Sequence, residues 1–214
     1  MKALLVQYAE QVRSGPNGLF SRGDLERLNE HAADGASGAK LLRSLAVRSF
    51  VDVGSGGGVP GIPLALELPD VHAHLIESQG WKAEFLRTCA RELGLESRVS
   101  VTTCRAEDAP GLIGRELLDC GTARAVARPW IVAEYLAPLV RVGGHLVLWT
   151  TQAHVDELAV SPAASQRLGL GAPYVEAVDT PLRDNAVLLV WPRIAPCAAT
   201  IPRRDGVAAR KPLA

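Results

Sequence analysis

The spacing of apolar residues changes along the chain, and the first 48 positions favour helices. Residues 2 to 13 place apolar side chains, including Tyr8 and Val12, near one face of an amphipathic helix. The following SGPNG ends this helix, and a second one is predicted to begin after Ser21. Residues 31 to 40, HAADGASGAK, are dominated by small residues and predict a loop or a frayed turn.

From residue 49 onward, strand-like runs alternate with helix-like runs. Five strands are predicted at residues 49–54, 71–78, 98–104, 119–126 and 145–150, with RVGG as a turn before the fifth. Helices are predicted at residues 60–68, 81–94, 107–118 and 129–140, and from the end of the fifth strand to about Leu168. YVEAVDT and NAVLLVWPR predict a closing antiparallel pair. This alternation is typical of a doubly wound, mostly parallel sheet, here of seven strands with helices on both faces.

The same pattern predicts three parts in the chain. Residues 1–48 are expected to form an N-terminal helical cap, residues 49–195 the α/β domain, and residues 196–214 a basic C-terminal tail without periodicity.

Composition narrows the class of protein. The chain has 214 residues, no net charge and 48% hydrophobic residues, which is ordinary for a globular protein. The N-terminus is interrupted by Gln7 and Glu10 and does not match a signal peptide, so a cytoplasmic location is expected. The four cysteines show no C-x-x-C spacing, which predicts free thiols and no metal site. A polyanionic partner would have to meet a local patch of positive charge.

The most informative stretch is FVDVGSGGGVPGIP at residues 50 to 63. In doubly wound sheets, ligands bind at the turn that follows the first strand, and glycines let backbone N–H groups approach them closely. The spacing Gly56-x-Gly58-x-x-Gly61 formally fits the dinucleotide fingerprint. However, Pro60 removes a donor that a phosphate would need, and Asp52 places a carboxylate before the turn.

A ligand with a cation and an adenosine but no phosphate, S-adenosylmethionine, fits this turn better. Asp52 could face its ammonium group directly or through water. Glu77 ends the second strand, 23 positions after Gly54, where an acid can accept both ribose hydroxyls. Ala106 and Glu107 follow the third strand and could border the adenine.

Several longer segments resemble one family. VDVGSGGGVPGIPLAL, LIESQGWKAEFLRTCARELGL, CRAED, ARAVA and the ending PRRDGVAARKPL together resemble the RsmG (GidB) family, over about residues 50 to 150 and again at the tail. This resemblance implies a class I (Rossmann-like) S-adenosylmethionine methyltransferase fold. It also implies that the enzyme methylates N7 of a guanine in small-subunit (16S) ribosomal RNA, with the small ribosomal subunit as partner.

The resemblance also implies site residues. It implies cofactor contacts from Gly54, Ser55, Gly56, Gly58, Val59, Glu77, Ala106, Glu107 and Arg124, and the reasoning on the ammonium group adds Asp52 to them. Arg124 follows the fourth strand and is the candidate catalytic residue. Guanine N7 already carries a lone pair, so no general base is expected, and alignment of the reacting atoms would do the work.

Ribosomal RNA would meet cations near the site and in the tail. The candidates are Lys82, Arg128, Arg203, Arg204, Arg210 and Lys211. Phosphate contacts by these side chains would make binding strongly dependent on salt, whereas a solvated tail would not.

The chain departs from the family pattern where RNA is expected to bind. GWKAEFL leaves Lys82 without a second cation, LWTTQAH lacks a Lys-Gly, and residues 31 to 40 replace an Asn-Leu-Thr segment. Two other hypotheses therefore stay open: a methyltransferase acting on another RNA or a small molecule, and a non-catalytic ribosome-associated binding module. The fingerprint spacing of the glycines also leaves a nicotinamide-dependent oxidoreductase as a distant alternative.

Overall fold

One seven-stranded sheet runs through the computed structural model, which describes residues 2–156, 158 and 161–214. Its strands are β1 (Ser49–Val53), β2 (His72–Glu77), β3 (Val99–Thr103), β4 (Leu118–Arg124), β5 (Val140–Thr151), β6 (Tyr174–Ala177) and β7 (Ala186–Pro192). Their order is β3-β2-β1-β4-β5-β7-β6. The first five strands pair in parallel, and β7 is antiparallel to both β5 and β6. The predicted sheet, including its closing antiparallel pair, is confirmed.

The helices connect and cover these strands. They are α1 (Lys2–Ser14), α2 (Arg22–Glu26), α3 (Leu28–Ala36), α4 (Ala39–Ser44), α5 (Gly61–Glu67), α6 (Gly80–Glu92), α7 (Ala109–Ile113), α8 (Pro129–Leu136), α9 (Gln152–Asp156), α10 (Pro162–Leu168) and α11 (Val207–Arg210). The predicted helical stretch between Thr151 and Leu168 is two helices, and residues 157, 159 and 160 of it lie outside the described part.

The sheet separates two hydrophobic clusters. Alternation along β1 sends Phe50 to one cluster and both Val51 and Val53 to the other. The first cluster takes in α1 and α3 to α6, while the second takes in α7, α8, α10 and α11. Helices therefore lie on both faces, as predicted. Because the cap helices share a cluster with the sheet, they are packed on the α/β core, and the boundary at residue 48 stays a prediction.

The loop predicted at residues 31 to 40 is wrong, because α3 and α4 occupy most of it. The small residues there allow close packing and do not mark a loop. A Cβ built on Gly35 would lie 2.7 Å from Val59, and one built on Gly38 would lie 2.4 Å from the ring of Trp149. Glycine therefore brings this part of the cap against the turn after β1 and against β5.

The turn predicted at RVGG is also wrong. β5 begins at Val140 and runs through these residues, and its pairing with β4 shifts register between Leu118 and Cys120. Gly143 adopts a φ of +84° and donates its N–H to the carbonyl of Arg193 at 2.7 Å. The two glycines therefore form an irregularity inside a long strand. The helix predicted at residues 129–140 ends at Leu136, and the one at residues 107–118 is limited to Ala109–Ile113.

Two further observations concern the cysteines and the length of the helices. The four cysteines are free thiols. Within the described residues, none of the helices has the length and apolar character that a membrane crossing requires.

Candidate active site

The candidate site lies at the carboxyl ends of the central strands. The backbone N–H groups of Gly54 and Ser55 donate to the carbonyl of Ile76 at 2.9 and 3.0 Å, which ties the turn after β1 to the end of β2. Across the sheet, Asp52 is in register with Thr122 of β4. The turn is therefore held between the two strands that flank β1, at the position where doubly wound sheets bind ligands.

Glu77 connects the end of β2 to the glycine turn. Its Oε2 accepts the N–H of Gly56 at 2.9 Å, and its Oε1 accepts the N–H of Gln79 at 2.8 Å. Gly56 has a φ of +55°, a conformation that residues with a Cβ rarely adopt. A Cβ at Gly56 would meet nothing closer than 3.8 Å and would project into open space in front of the turn. The turn thus leaves room beside an acidic group, as predicted for a cofactor site.

Asp52 lies beneath the turn and is completely buried. Its Oδ1 accepts a hydrogen bond from the Thr122 hydroxyl at 3.0 Å, while Oδ2 has no hydrogen-bond partner among the described residues. Burial raises the pKa of Asp52 to about 7. Asp52 is not among the residues that line the three cavities around this turn. Its expected direct contact with a ligand stays a prediction.

Arg124 ends β4 and is held by the cap. Its Nη1 donates to Asp34 Oδ2 at 2.9 Å and to His31 Nδ1 at 3.0 Å, while its Nε is buried without a partner among the described residues. Burial, followed by the charge of Arg124, lowers the pKa of His31. The neutral imidazole can then donate Nε2–H to Asp24, which lies 3.0 Å away. The side chain predicted to contact the cofactor is thus oriented by α3.

Three cavities open at this edge of the described structure. The turn cavity, of about 480 Å³, is lined by Gly54 to Gly57, Glu77 and Arg124. The arginine cavity, of about 370 Å³, shares Arg124 and Arg183 with it and also includes Arg128, Trp149 and His154. The tail cavity, of about 270 Å³, shares Gly54 with the turn cavity and contains Ala106 and Glu107. Because they share lining residues, the three cavities are adjacent, and together they are called the groove at the ends of β1, β2 and β4.

The tail cavity is closed on one side by the C-terminal tail. Ala209 lines it together with Ala106, Glu107 and Tyr135 of α8. Burial and the neighbouring Glu107 carboxylate raise the pKa of Tyr135 to about 12, so this phenol stays protonated at neutral pH. Ala106 and Glu107 therefore border a partly apolar pocket, where an adenine was predicted.

The predicted RNA-binding cations fall into two groups. Lys82 lines the turn cavity, with its Nζ 5.3 Å from the ring centroid of Trp81. Arg128 lines the arginine cavity at its exposed rim. In the tail, Arg204, Arg210 and Lys211 are exposed. Arg203 differs, because its guanidinium forms a two-point ion pair with the buried Glu134 at 2.8 and 2.5 Å. Its role as an RNA contact stays a prediction, although the structure directs it inward.

Several residues of the site were missed by the sequence analysis. Asp34 and His31 were assigned to a loop, although residues 28, 32 and 35 repeat at helical spacing and predict a buried face. Arg183 precedes β7 and lies 3.7 Å from Asp34 Oδ2. Its position follows from the return of the chain across the site, and no local pattern indicates it. Among the described residues, no cluster of His, Cys, Asp and Glu side chains could hold a metal ion.

Comparison with known proteins places these features in a family. The model of the family described as GidB, rRNA small subunit methyltransferase G, matches residues 1–184. Ribosomal RNA small subunit methyltransferase G of Rubrobacter xylanophilus is 40% identical over 193 residues, covering 87% of this chain and 73% of the relative. The protein of the same name from Clostridium botulinum is 32% identical over 216 residues, covering 99% and 87%. The sequence therefore matches these relatives over most of their length.

Solved structures with a similar fold are more distant in sequence. A putative O-methyltransferase from Klebsiella pneumoniae aligns with a TM-score of 0.57 at 15% identity, covering 90% of both chains. The S-adenosylmethionine-dependent methyltransferase SibL aligns with a TM-score of 0.59 at 17% identity, covering 90% of this chain and 70% of SibL. At these identities the likeness establishes the fold, which is the Rossmann-like methyltransferase architecture predicted from the sequence.

Proposed function

The chain belongs to the rRNA small subunit methyltransferase G family, and we propose that it is an S-adenosylmethionine-dependent RNA methyltransferase. Its substrate is a guanine of small-subunit (16S) ribosomal RNA, methylated at N7. The observation that carries the proposal is the glycine turn bonded to Glu77, which opens beside the arginine cavity. An enzyme with this substrate acts in the cytoplasm, where ribosomal RNA is found.

The residues present fit the cofactor. The turn from Gly54 to Val59 leaves space for the amino acid part, because Gly56 faces an open cavity. Glu77 lines the same cavity, and we propose that its oxygens accept the ribose hydroxyls. Ala106 and Glu107 border the tail cavity, which suits the adenine. Arg124 lines both the turn cavity and the arginine cavity, so its side chain can contact a ligand in either one.

The protein has a limited chemical task in this reaction. When bound, S-adenosylmethionine supplies a methyl group on a positively charged sulfur. The lone pair of guanine N7 is available at neutral pH, so the side chains need not remove a proton. Their role is to hold the base in the arginine cavity, in line with the turn cavity, and to exclude water. Alignment of this kind can lower a reaction barrier by several kcal/mol.

The substrate side of the site is consistent with a base taken out of folded RNA. Arg128 and Arg183 offer planar guanidinium groups on which a base can stack, and both line the arginine cavity. Exposed tail cations, Arg204, Arg210 and Lys211, add positive charge to a chain whose net charge is zero. We propose that these side chains contact phosphates of the ribosomal RNA, which predicts a strong dependence of RNA binding on salt.

The first test is titration calorimetry with S-adenosylmethionine on the wild type and on Glu77→Gln. Loss of one charge-assisted hydrogen-bonding group costs about 1.5–3 kcal/mol, so Glu77→Gln should bind about 10- to 100-fold more weakly. Glu84→Gln is the matched control, because Glu84 lies on α6 with 68% of its side chain exposed. An affinity for Glu77→Gln equal to that of the wild type would contradict the assignment.

The second test is methyl transfer from radiolabelled S-adenosylmethionine to small ribosomal subunits and to purified 16S RNA. We expect label at N7 of a guanine, mapped by cleavage at the methylated base. Binding of the cofactor without transfer to either RNA would favour another substrate or a non-catalytic module. Absence of cofactor binding by the folded wild type would refute the proposal.

A further inference from the structure

The C-terminal tail is fixed to the methyltransferase core by a buried ion pair. Glu134 of α8 is fully buried, and its Oε1 accepts both the backbone N–H and the Nε–H of Arg203, at 3.0 and 2.8 Å. Its Oε2 accepts Nη2–H of the same guanidinium at 2.5 Å. Only 19% of the Arg203 side chain is exposed. Because one carboxylate holds three donors of one residue, the direction of the tail is set at this point.

Beyond Arg203, the tail makes a second attachment at the adenine end of the site. The N–H of Gly206 donates to Glu107 Oε1 at 3.1 Å. Arg105 bridges the two segments, since its guanidinium lies 3.8 Å from Glu107 Oε2 and 2.9 Å from Asp205 Oδ1. The tail is thereby bonded to the loop that follows β3, the same loop that was predicted to border the adenine.

The short helix α11 follows this attachment and places Ala209 on the wall of the tail cavity. Ala208, its neighbour, is completely buried against the second hydrophobic cluster. Ala209 faces the cavity together with Ala106, Glu107 and Tyr135. A small side chain at this position leaves the cavity open while the backbone of α11 closes its side.

We propose that residues 201–211 form the wall of the cofactor site at its adenine end. In this arrangement Arg203 and Glu134 are positioning residues, which hold that wall without touching the cofactor. The inference rests on the proposed function, since it takes the adenine of S-adenosylmethionine as the ligand of the tail cavity. It gives Arg203 a different task from Arg204, which is adjacent in sequence but exposed.

The main test is calorimetry with S-adenosylhomocysteine in the absence of RNA, on R203Q and on the matched control R204Q. Removing the cation that holds the tail should weaken S-adenosylhomocysteine binding at least tenfold in R203Q. The control should bind within twofold of the wild type. Measuring both variants by circular dichroism and urea unfolding establishes that each one is folded. A folded R203Q with wild-type affinity would overturn the inference.

A second measurement uses the wild type alone, so it holds even where R203Q does not fold. We expect trypsin to cleave after the exposed Arg204 and Arg210 when the tail detaches from Glu134 and Glu107, because cleavage requires an extended backbone. If the detached tail leaves the site unable to bind, S-adenosylhomocysteine at concentration [L] slows this cleavage in proportion to 1 + [L]/Kd, which is about 100-fold at 100 times Kd. Arg43 is the internal control, because it is exposed in the last turn of α4, away from the site. Equal cleavage of the tail with and without S-adenosylhomocysteine would overturn the inference.

Steady-state kinetics separates this role from RNA binding. R203Q should raise KM for S-adenosylmethionine at least tenfold, whereas R204Q should leave that KM within twofold and raise only KM for RNA. A rise in KM for RNA alone in R203Q would make the tail an RNA-binding arm and overturn the inference. A wild type that binds no S-adenosylhomocysteine would refute the proposed function itself. If the wild type binds S-adenosylhomocysteine but neither the affinity of R203Q nor the cleavage of the tail changes, only the tail wall is refuted.

Discussion

Replacing Asp34 by Asn tests how strongly the cap is held on the site. Asp34 is 1% exposed, and its Oδ2 accepts from Arg124, whose side chain is 8% exposed. The substitution keeps the size of the side chain and the backbone carbonyl, which accepts the indole N–H of Trp149 at 2.8 Å. It removes the negative charge, so the guanidinium of Arg124 keeps a neutral imidazole and an amide as its partners.

The expected magnitude follows from the burial of both partners. Removing one member of a buried ion pair leaves an uncompensated charge and typically costs about 3–5 kcal/mol. Arg183, at 3.7 Å from Asp34 and 35% exposed, can turn to solvent and adds little to this cost. For a chain of this size, each kcal/mol lowers Tm by about 2–4 °C, so Asp34→Asn should melt about 10 °C below the wild type.

Urea unfolding followed by circular dichroism measures this difference. Asp24→Asn is the control, because Asp24 bonds to His31 of the same network but keeps 46% of its side chain exposed. It should cost less than about 1 kcal/mol. A loss below about 1 kcal/mol for Asp34→Asn, equal to that of the control, would refute the reasoning that the Arg124–Asp34 pair fixes the cap. A double variant with Arg124→Gln should then show no coupling energy.

Two further experiments test the buried carboxyl group of Asp52 and the packing of the cap against β5. Burial raises the pKa of Asp52 from 3.8 to about 7, so the folded state favours the protonated carboxyl. As the pH rises from about 3.8 to about 7, the free energy of unfolding of the wild type should therefore fall by up to about 1.4 kcal/mol per pH unit relative to that of Asp52→Asn. Above pH 7 the difference between the two proteins should stay constant. Urea unfolding of both proteins from pH 4.5 to 8 measures the difference, and parallel curves would contradict the shifted pKa. Gly38→Ala places a Cβ 2.4 Å from Trp149 and should cost about 1–3 kcal/mol by thermal melting. Gly23→Ala in α2, where a Cβ meets no atom within 4 Å, should instead stabilise the protein by about 0.5–1 kcal/mol, and equal effects would contradict the packing argument.

Much of the sheet and the meeting of the glycine turn with Glu77 could be predicted because the relevant signals are local. Strands and helices carry their own periodicity, and the rules for parallel sheets then place neighbouring strand ends together. Gly56 and Glu77 lie 21 positions apart, yet they meet because each follows or ends one of two adjacent parallel strands. The pairing of β1 with β2 therefore explains the hydrogen bond between Gly56 and Glu77.

The cap could not be predicted in the same way. Gly35 and Gly38 suggested a loop, because glycine disfavours an isolated helix. Their close contacts with Val59 and Trp149 belong to the tertiary structure, where the absence of a side chain is what allows the helices to approach. Propensity describes a segment by itself, and packing overrode it here.

The ion pairs at the two ends of the groove left no trace in the sequence pattern. Arg124 and Asp34 are 90 positions apart, and Arg203 and Glu134 are 69 apart. An arginine in a basic tail looks like a surface cation until its partner is known. Sequence reasoning identified Arg124 and Arg203 but missed Asp34 and Glu134, the carboxylates that hold these arginines inward.

The packing of the cap against β5 determines when the cap can fold. The helices α2, α3 and α4 contain 5, 9 and 6 residues, and isolated helices shorter than about 12–15 residues are marginal in water. Gly38 packs on Trp149, which is synthesised more than a hundred residues later. We therefore expect α2, α3 and α4 to stay largely unstructured during synthesis until β5 has emerged from the ribosome. Contacts of such long sequence separation slow folding, so the groove would be completed late and in one cooperative step.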